Sequence, residues 1–164
     1  MDQVVINGVT YIPASDPAVE TDLAGCSIIK SADEQRYTLS IAYPALKADV
    51  ATALDGRRDF VTPDILEKSA WQWMAKHRSI GLHHQEGTEG HGTVVESYIW
   101  RGPDWIIKAA DGSEQEVKKG DWLLGVQWDV STWSLIKSGR IGGYSFQGGA
   151  RCVVPSAEML NGLR

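Results

Sequence analysis

Covalent staples are scarce in this chain. Its 164 residues hold two cysteines, Cys26 and Cys152. They lie far apart and in no metal-ligand spacing, so a disulfide scaffold is not expected and a reduced intracellular protein is. No apolar run approaches the ~20 residues that a membrane-spanning helix requires. The opening MDQVVINGVTYIP has no basic stretch followed by an apolar one, so no secretion signal is expected either. Positive charge is in deficit: 16 Lys and Arg stand against 21 Asp and Glu, a net charge of −5. Without a basic stripe to neutralise phosphates, the chain does not read as a nucleic-acid binder. Internal repeats and low-complexity tracts are also missing.

What is present fits one soluble domain with a substantial core. Seven tryptophans and 17 glycines stand out. Runs of β-formers dominate: 36–44 (RYTLSIAYP), 78–84 (RSIGLHH), 92–100 (GTVVESYIW), 104–109 (DWIIKA) and 121–130 (DWLLGVQWDV). Asn7-Gly8 and Asp111-Gly112 each predict a hairpin turn. Residues 13–25, with two prolines, small residues and acids, read as a linker, which divides the chain into an N-terminal hairpin and linker segment, 1–26, and a main domain, 27–164. Two helices are expected. In 60–77, Thr62 suits the N-cap and Pro63 the first turn, and Leu66, Ala70, Trp73, Met74 and His77 share a face. In 129–139, Asp129 or Ser131 suits the cap and Gly139 the position after the last turn. Without sustained βαβ alternation, the fold class is mainly β, a barrel or strongly bent sheet with attached helices.

The segment IGGYSFQGGA, 141–150, sets Ser145 between two glycine pairs and between two aromatics. A serine hydroxyl becomes a nucleophile when a neighbouring base takes its proton, and imidazole suits that task near neutral pH. Gly142, Gly143 and Gly148 would let the backbone approach a substrate and aim N–H groups at an oxyanion. Gln147 stands where a nucleophile elbow needs glycine, so that motif is absent, and a tight sheet-closing bend is the competing reading. Four histidines occur, three of them within GLHHQEGTEGH: His83, His84 and His91. His83 or His84 with Glu86 and His91 could alternatively ligate zinc, although no HExxH spacing supports it. A non-catalytic shell or adaptor protein with tryptophan-rich contacts is the third reading. Trp122, Trp128 and Trp133 are candidates for a substrate groove or for the core.

Taken in order, YTLSIAYPALKADV, GRRDFVTPDILEKSAWQWM, GLHHQ, GTVVESYI and KKGDWLLGVQWDVSTWSLIKSGRIGGYSFQG resemble the XkdF-like phage serine proteases. These are similar to the prohead maturation proteases of tailed phages, which share a fold with herpesvirus assemblin. The resemblance covers about residues 36–154. It implies a compact assemblin-like β-barrel flanked by helices, and a serine endopeptidase that cleaves scaffold and capsid protein inside the assembling prohead, in the host cytoplasm, with no cofactor. Homodimerisation, needed by assemblin-like relatives, is left open. The family's "L-x-H" block puts the general base on His84, with His83 the lesser candidate, and its "G-x-S" block puts the nucleophile on Ser145. Gly143, Tyr144, Phe146 and Gly148 then form the oxyanion and substrate region. Glu96 is the expected third member and Asp129 its alternative. No histidine follows Ser145, so assemblin's own third residue has no counterpart.

Overall fold

A computed structural model describes residues 4–6, 9–11, 28–32, 35–48, 58–82, 89–108, 112–146 and 153–163; for 4–6, 9–11, 28–32 and 146 it gives the backbone path alone. Strands β1 (Val4–Ile6) and β2 (Val9–Tyr11) pair antiparallel, Val4 opposite Tyr11, as the Asn7-Gly8 signal predicts. The main sheet has six strands: β3 (Ile28–Ala32), β4 (Tyr37–Tyr43), β5 (Ser79–Gly81), β6 (Gly92–Ile99), β9 (Trp122–Trp128) and β10 (Ser145–Phe146). Their order is β10-β5-β6-β9-β4-β3, with antiparallel neighbours throughout. The expected mainly β fold with flanking helices is found, as a curled sheet whose edges are β10 and β3. A second hairpin, β7 (Trp105–Lys108) with β8 (Glu114–Val117), turns where Asp111-Gly112 predicts; Gly112 has the positive φ of +86° that such a turn asks of glycine.

Over β4 and the start of β9 the sheet is covered on both faces, which explains why β9 opens on the unbroken apolar run Trp122-Leu123-Leu124, while the outward residues Thr93, Glu96 and Tyr98 of β6 stay exposed. On the inner face, Trp122, Leu124, Val126 and Trp128 of β9 meet helix α1 (Pro63–Lys76) and helix α2 (Val130–Lys137) through Leu66, Ala70, Trp73, Trp133 and Leu135. Trp73 and Trp122 pack edge to face with centroids 5.4 Å apart. On the outer face, Leu39, Ile41 and Leu123 are covered by Val117 of β8, with Trp100, Trp105 and Ile107 against them. The stripe expected on α1 is therefore core at Leu66, Ala70 and Trp73, while His77 is the exposed C-cap. Thr62 holds the N-cap position without a side-chain hydrogen bond, and Pro63 opens the helix. A third helix, α3 (Ala157–Asn161), is capped by Ser156, whose hydroxyl accepts from the Met159 N–H.

Buried polar groups tie loops to this frame. Asp121 is buried, and its two carboxylate oxygens accept the N–H groups of Ala45 (2.9 Å) and Lys118 (2.8 Å). Deeper in the core, the Trp128 indole donates to Thr38 Oγ1 (2.8 Å), which lies 2.8 Å from the Tyr144 hydroxyl. Tyr144 in turn donates to the Thr38 carbonyl (2.8 Å), with the Leu124 carbonyl 3.2 Å away. The chain of donors ends on backbone oxygens, and every member is satisfied.

Removing the Tyr144 hydroxyl leaves Thr38 Oγ1 and its carbonyl short of a partner in the buried core. Tyr144→Phe should lower unfolding stability by about 1–3 kcal/mol, measured by urea denaturation; an unchanged midpoint would contradict the network.

Candidate active site

Ser145 owes its position to Tyr144. Tyr144 faces inward, held by the hydroxyl network and by the Trp128 ring, 5.8 Å away centroid to centroid. In extended backbone successive side chains alternate, so Ser145 points to the outer face of the sheet. Its strand partner agrees: Ser145 lies opposite Gly81, between inward-facing Ile80 and Leu82. Ser145 is only 4% exposed. The aromatic-flanked serine is thus an edge-strand residue whose inner neighbour anchors it.

The register brings other sequence candidates onto the same line. Ile80 pairs with Gly92, and Gly92 with Trp128. One step further, the Asp129 N–H donates to the His91 carbonyl at 3.1 Å. Counting along the ladders sets Ser145, Gly81, His91 and Asp129 in one row across β10, β5 and the ends of β6 and β9. Gly92 and Trp128 face inward: a Cβ on Gly92 would lie 2.7 Å from Val126 Cγ1 and 2.9 Å from the Trp128 ring. Their neighbours His91 and Asp129 therefore face outward, with Ser145. Adjacent strands sit ~4.8 Å apart, so Ser145 and His91 are separated by about 10 Å of backbone with a glycine between.

His91 and Asp129 are joined by a 2.7 Å contact between Nδ1 and Oδ2, the imidazole 16% and the carboxylate 40% exposed. The other carboxylate oxygen, Oδ1, caps α2, accepting from the Thr132 N–H (2.7 Å) and the Ser131 hydroxyl (2.8 Å). Burial alone would raise the Asp129 pKa; the hydrogen bonds from the Thr132 backbone, His91 and Ser131 outweigh it and lower it to about 2. The end of β9 is clamped as well. Arg36, at a left-handed φ of +51°, accepts the Trp128 N–H through its carbonyl and donates to the Trp128 carbonyl through Nε, both at 2.9 Å.

Glu96 lies elsewhere. It follows a bulge in β6 and pairs with Gly125, four residues along β9 from Asp129, or about 13 Å. The Tyr37 hydroxyl donates to its Oε2 at 2.5 Å. Burial, and then the Glu96 hydrogen bond and charge, push the Tyr37 phenol well above its ordinary range. Gly125 makes room for this pair, since a Cβ there would fall 2.8 Å from both Glu96 Cβ and the Tyr37 hydroxyl. Of the two acids expected as third member, the fold brings Asp129 onto the row of Ser145 and does not bring Glu96 there.

His83 and His84 lie outside the described residues, as do Glu86 and Gly148; His84 follows Gly81 by three positions in sequence. Among the described residues no group of three His, Cys, Asp or Glu is arranged to hold a metal ion. Gly143 and Tyr144 lead into β10, and Phe146 pairs with Ile80. Trp122, Trp128 and Trp133 are all buried in the core, which removes them as groove-lining residues. His91 entered the sequence reading only as a metal ligand. Its partnership with Asp129, 38 residues away, follows from strand register, which no local pattern encodes.

A family model described as "Putative phage serine protease XkdF" matches residues 25–154. The chain is 38% identical over 119 residues to "Phage-like element PBSX protein XkdF" of Bacillus subtilis (strain 168), a match covering 72% of this chain and 38% of that protein. It is 32% identical over 126 residues to "Uncharacterized protein YqbD" of the same strain, covering 77% of this chain and 35% of that one. It therefore spans well under half the length of the curated relatives it matches. No solved structure matches. Spanning most of the chain, from ahead of β3 to beyond β10, the family match makes this protein a member of the family described as "Putative phage serine protease XkdF".

Proposed function

We propose that this chain is the serine endopeptidase of a tailed phage or prophage, acting on scaffold and capsid protein inside the assembling prohead in the host cytoplasm. The observation that carries the reading is the pairing of Ser145 with Gly81. It sets a serine on a strand edge beside the strand whose sequence runs on into His83 and His84. Ser145 Oγ attacks the substrate carbonyl carbon while His84 takes its proton. Backbone N–H groups of the 143–148 segment, through Gly143, Tyr144, Phe146 and Gly148, hold the oxyanion, a donor of this kind being worth ~10²–10³ in rate. As the tetrahedral intermediate collapses, the peptide C–N bond breaks and the histidine returns its proton to the leaving amine. A water, deprotonated in the same way, then releases the acyl group from Ser145.

An acid that steadies a protonated imidazole must stay ionised, and Asp129 meets that demand down to low pH. Its position on Ser145's row favours it over Glu96 for this role. The reading requires no cofactor. A homodimer is compatible with it.

Two outcomes are expected. With scaffold co-expressed, Ser145→Ala or His84→Ala should abolish fragment production while the variant stays folded, as read by mass spectrometry and circular dichroism; normal fragments from Ser145→Ala end the serine mechanism. The second concerns pH. Because the folded-state pKa of Asp129 is lowered from 3.8 to about 2, its stabilising contribution is fully present above the unfolded value and is lost as pH falls through about 4 towards 2. The urea-unfolding advantage of wild type over Asp129→Asn should be constant above about pH 5 and shrink across that window. An advantage that persists undiminished at pH 2 would contradict the assignment.

A further inference from the structure

Glu96 lies off the serine's row, and its surroundings amount to more than a structural tie. Gly125, its partner on β9, has no side chain, so the Tyr37 phenol reaches over β9 from β4 to donate to Oε2. The fit is close: a Cβ on Gly125 would lie 2.7 Å from Oε2 and 2.8 Å from the phenol oxygen. Tyr98, two residues further along β6, stands on the same outer face. Burial, and then the Glu96 charge, raise the Tyr98 phenol pKa, so its hydroxyl is protonated near neutral pH and lies within the carboxylate's field. Glu96 and Tyr98 are both exposed. Among the described residues no Lys, Arg or His pairs with Glu96, and its Oε1 accepts no hydrogen bond. Bracing β4 against β6 needs one acceptor, which a neutral glutamine would supply. The carboxylate adds a fixed, uncompensated negative charge with an open oxygen, beside two phenol oxygens that still have lone pairs.

We infer that Glu96, with Tyr37 and Tyr98, forms a remote subsite for an arginine side chain of the polypeptide substrate. That the polypeptide is a substrate rests on the serine-protease reading above; the recognition of a cation rests on the outer face alone. The ligand chemistry follows from the groups. Acceptors gathered around one negative charge call for a cation that only donates. Guanidinium offers five N–H donors in a plane, is weakly hydrated, packs on aromatic rings and stays charged at any working pH. The Tyr37 bond lowers the ordering cost of binding, since the carboxylate is already held in place. Charge balance agrees: the chain carries 21 Asp and Glu against 16 Lys and Arg. The place of the subsite sets its distance from the chemistry. Ser145 faces outward as Glu96 does, two strands across and about 13 Å along the strands from it, which makes about 16 Å over the sheet. About five residues of extended chain cover that span, which puts the arginine about five positions from the scissile bond.

Glu96→Gln separates this role from bracing, because glutamine keeps an acceptor for Tyr37 and loses the charge. The capped tripeptide Gly-Arg-Gly is titrated into the isotope-labelled full chain and followed by NMR. The same peptide with citrulline, which has the shape of arginine without its charge, is the control. The arginine peptide should shift the Gly125 and Tyr98 amides saturably. Citrulline, or Glu96→Gln with its melting temperature near wild type, should weaken binding about tenfold. Equal binding by the citrulline peptide, or shifts no larger there than around the exposed Glu158, would overturn the inference. With purified scaffold, Glu96→Gln should raise KM about tenfold and leave kcat little changed. An unchanged KM, or a loss confined to kcat, would also overturn it. Ser145→Ala should bind the arginine peptide as wild type does while cleaving nothing. Cleavage that survives Ser145→Ala ends the serine reading, and the assignment of the arginine to a substrate with it. Absent arginine shifts in the wild type, with Ser145→Ala inactive, end this inference alone.

Discussion

The fold around Ser145 depends on one buried hydroxyl. Tyr144 carries a polar tip into an apolar interior, where an unpaired O–H costs several kcal/mol. The tip is tolerated because Thr38, itself fixed by the Trp128 indole, offers both a hydroxyl and a carbonyl within 2.8 Å. The partners come from β4 and β9, at the centre of the sheet, while Tyr144 belongs to a glycine-rich segment at its edge. A short strand of two residues has little ladder of its own. Its path is set from beneath, by a side chain that can satisfy its hydrogen bonds in one place.

From that anchor, alternation does the rest. If Tyr144 points in, Ser145 points out, and the pairing of Ser145 with Gly81 fixes which row it occupies. The same parity rule, carried across β6 and β9, delivers His91 and Asp129 to that row and face. Glycine has a specific use here. Gly92 lies under Val126 and Trp128, where any side chain would have to displace the core, so the ladder can run straight past it to His91. A one-residue slip of β6 against β9 would turn His91 inward against the tryptophans, so register here decides the pairing of His91 with Asp129 as well as the packing.

Elements with local punctuation were legible in the sequence. Thr62-Pro63 opens α1, Asp129 caps α2, Gly139 follows it at φ +73°, and Asn7-Gly8 and Asp111-Gly112 join strand pairs. What depends on non-local packing was not. The five-residue strand β3 lacks a strong pattern and exists by pairing with β4. Helix α3 has one good cap and no buried residue to advertise it. The tryptophans at 122, 128 and 133 carry the same residue type whether they line a groove or fill a core, and it is the two helices packed on the inner face that bury them. Ser145 could be singled out by its setting. The His91–Asp129 pair could not, because a capping aspartate and a loop histidine each have an ordinary explanation until register joins them.

Asp129 also shows why a structural and a chemical role need not compete. A carboxylate has two oxygens and room for several donors. One oxygen closes the first turn of α2, which fixes the χ angles and the direction of the other. Capping is then the means by which a surface-proximal acid becomes a rigid partner for an imidazole. It is also why its pKa falls despite the cost of partial burial. Glu96, by contrast, spends its carboxylate on Tyr37, on the β4 side of the sheet, and its longer side chain is steadied by a phenol. A group oriented by Tyr37 next to Gly125 reports to the outer face of the central strands, two strands across from Ser145 and about 13 Å along the strands from its row. The acid that the fold has both immobilised and aimed along the serine's row is the one at the start of α2.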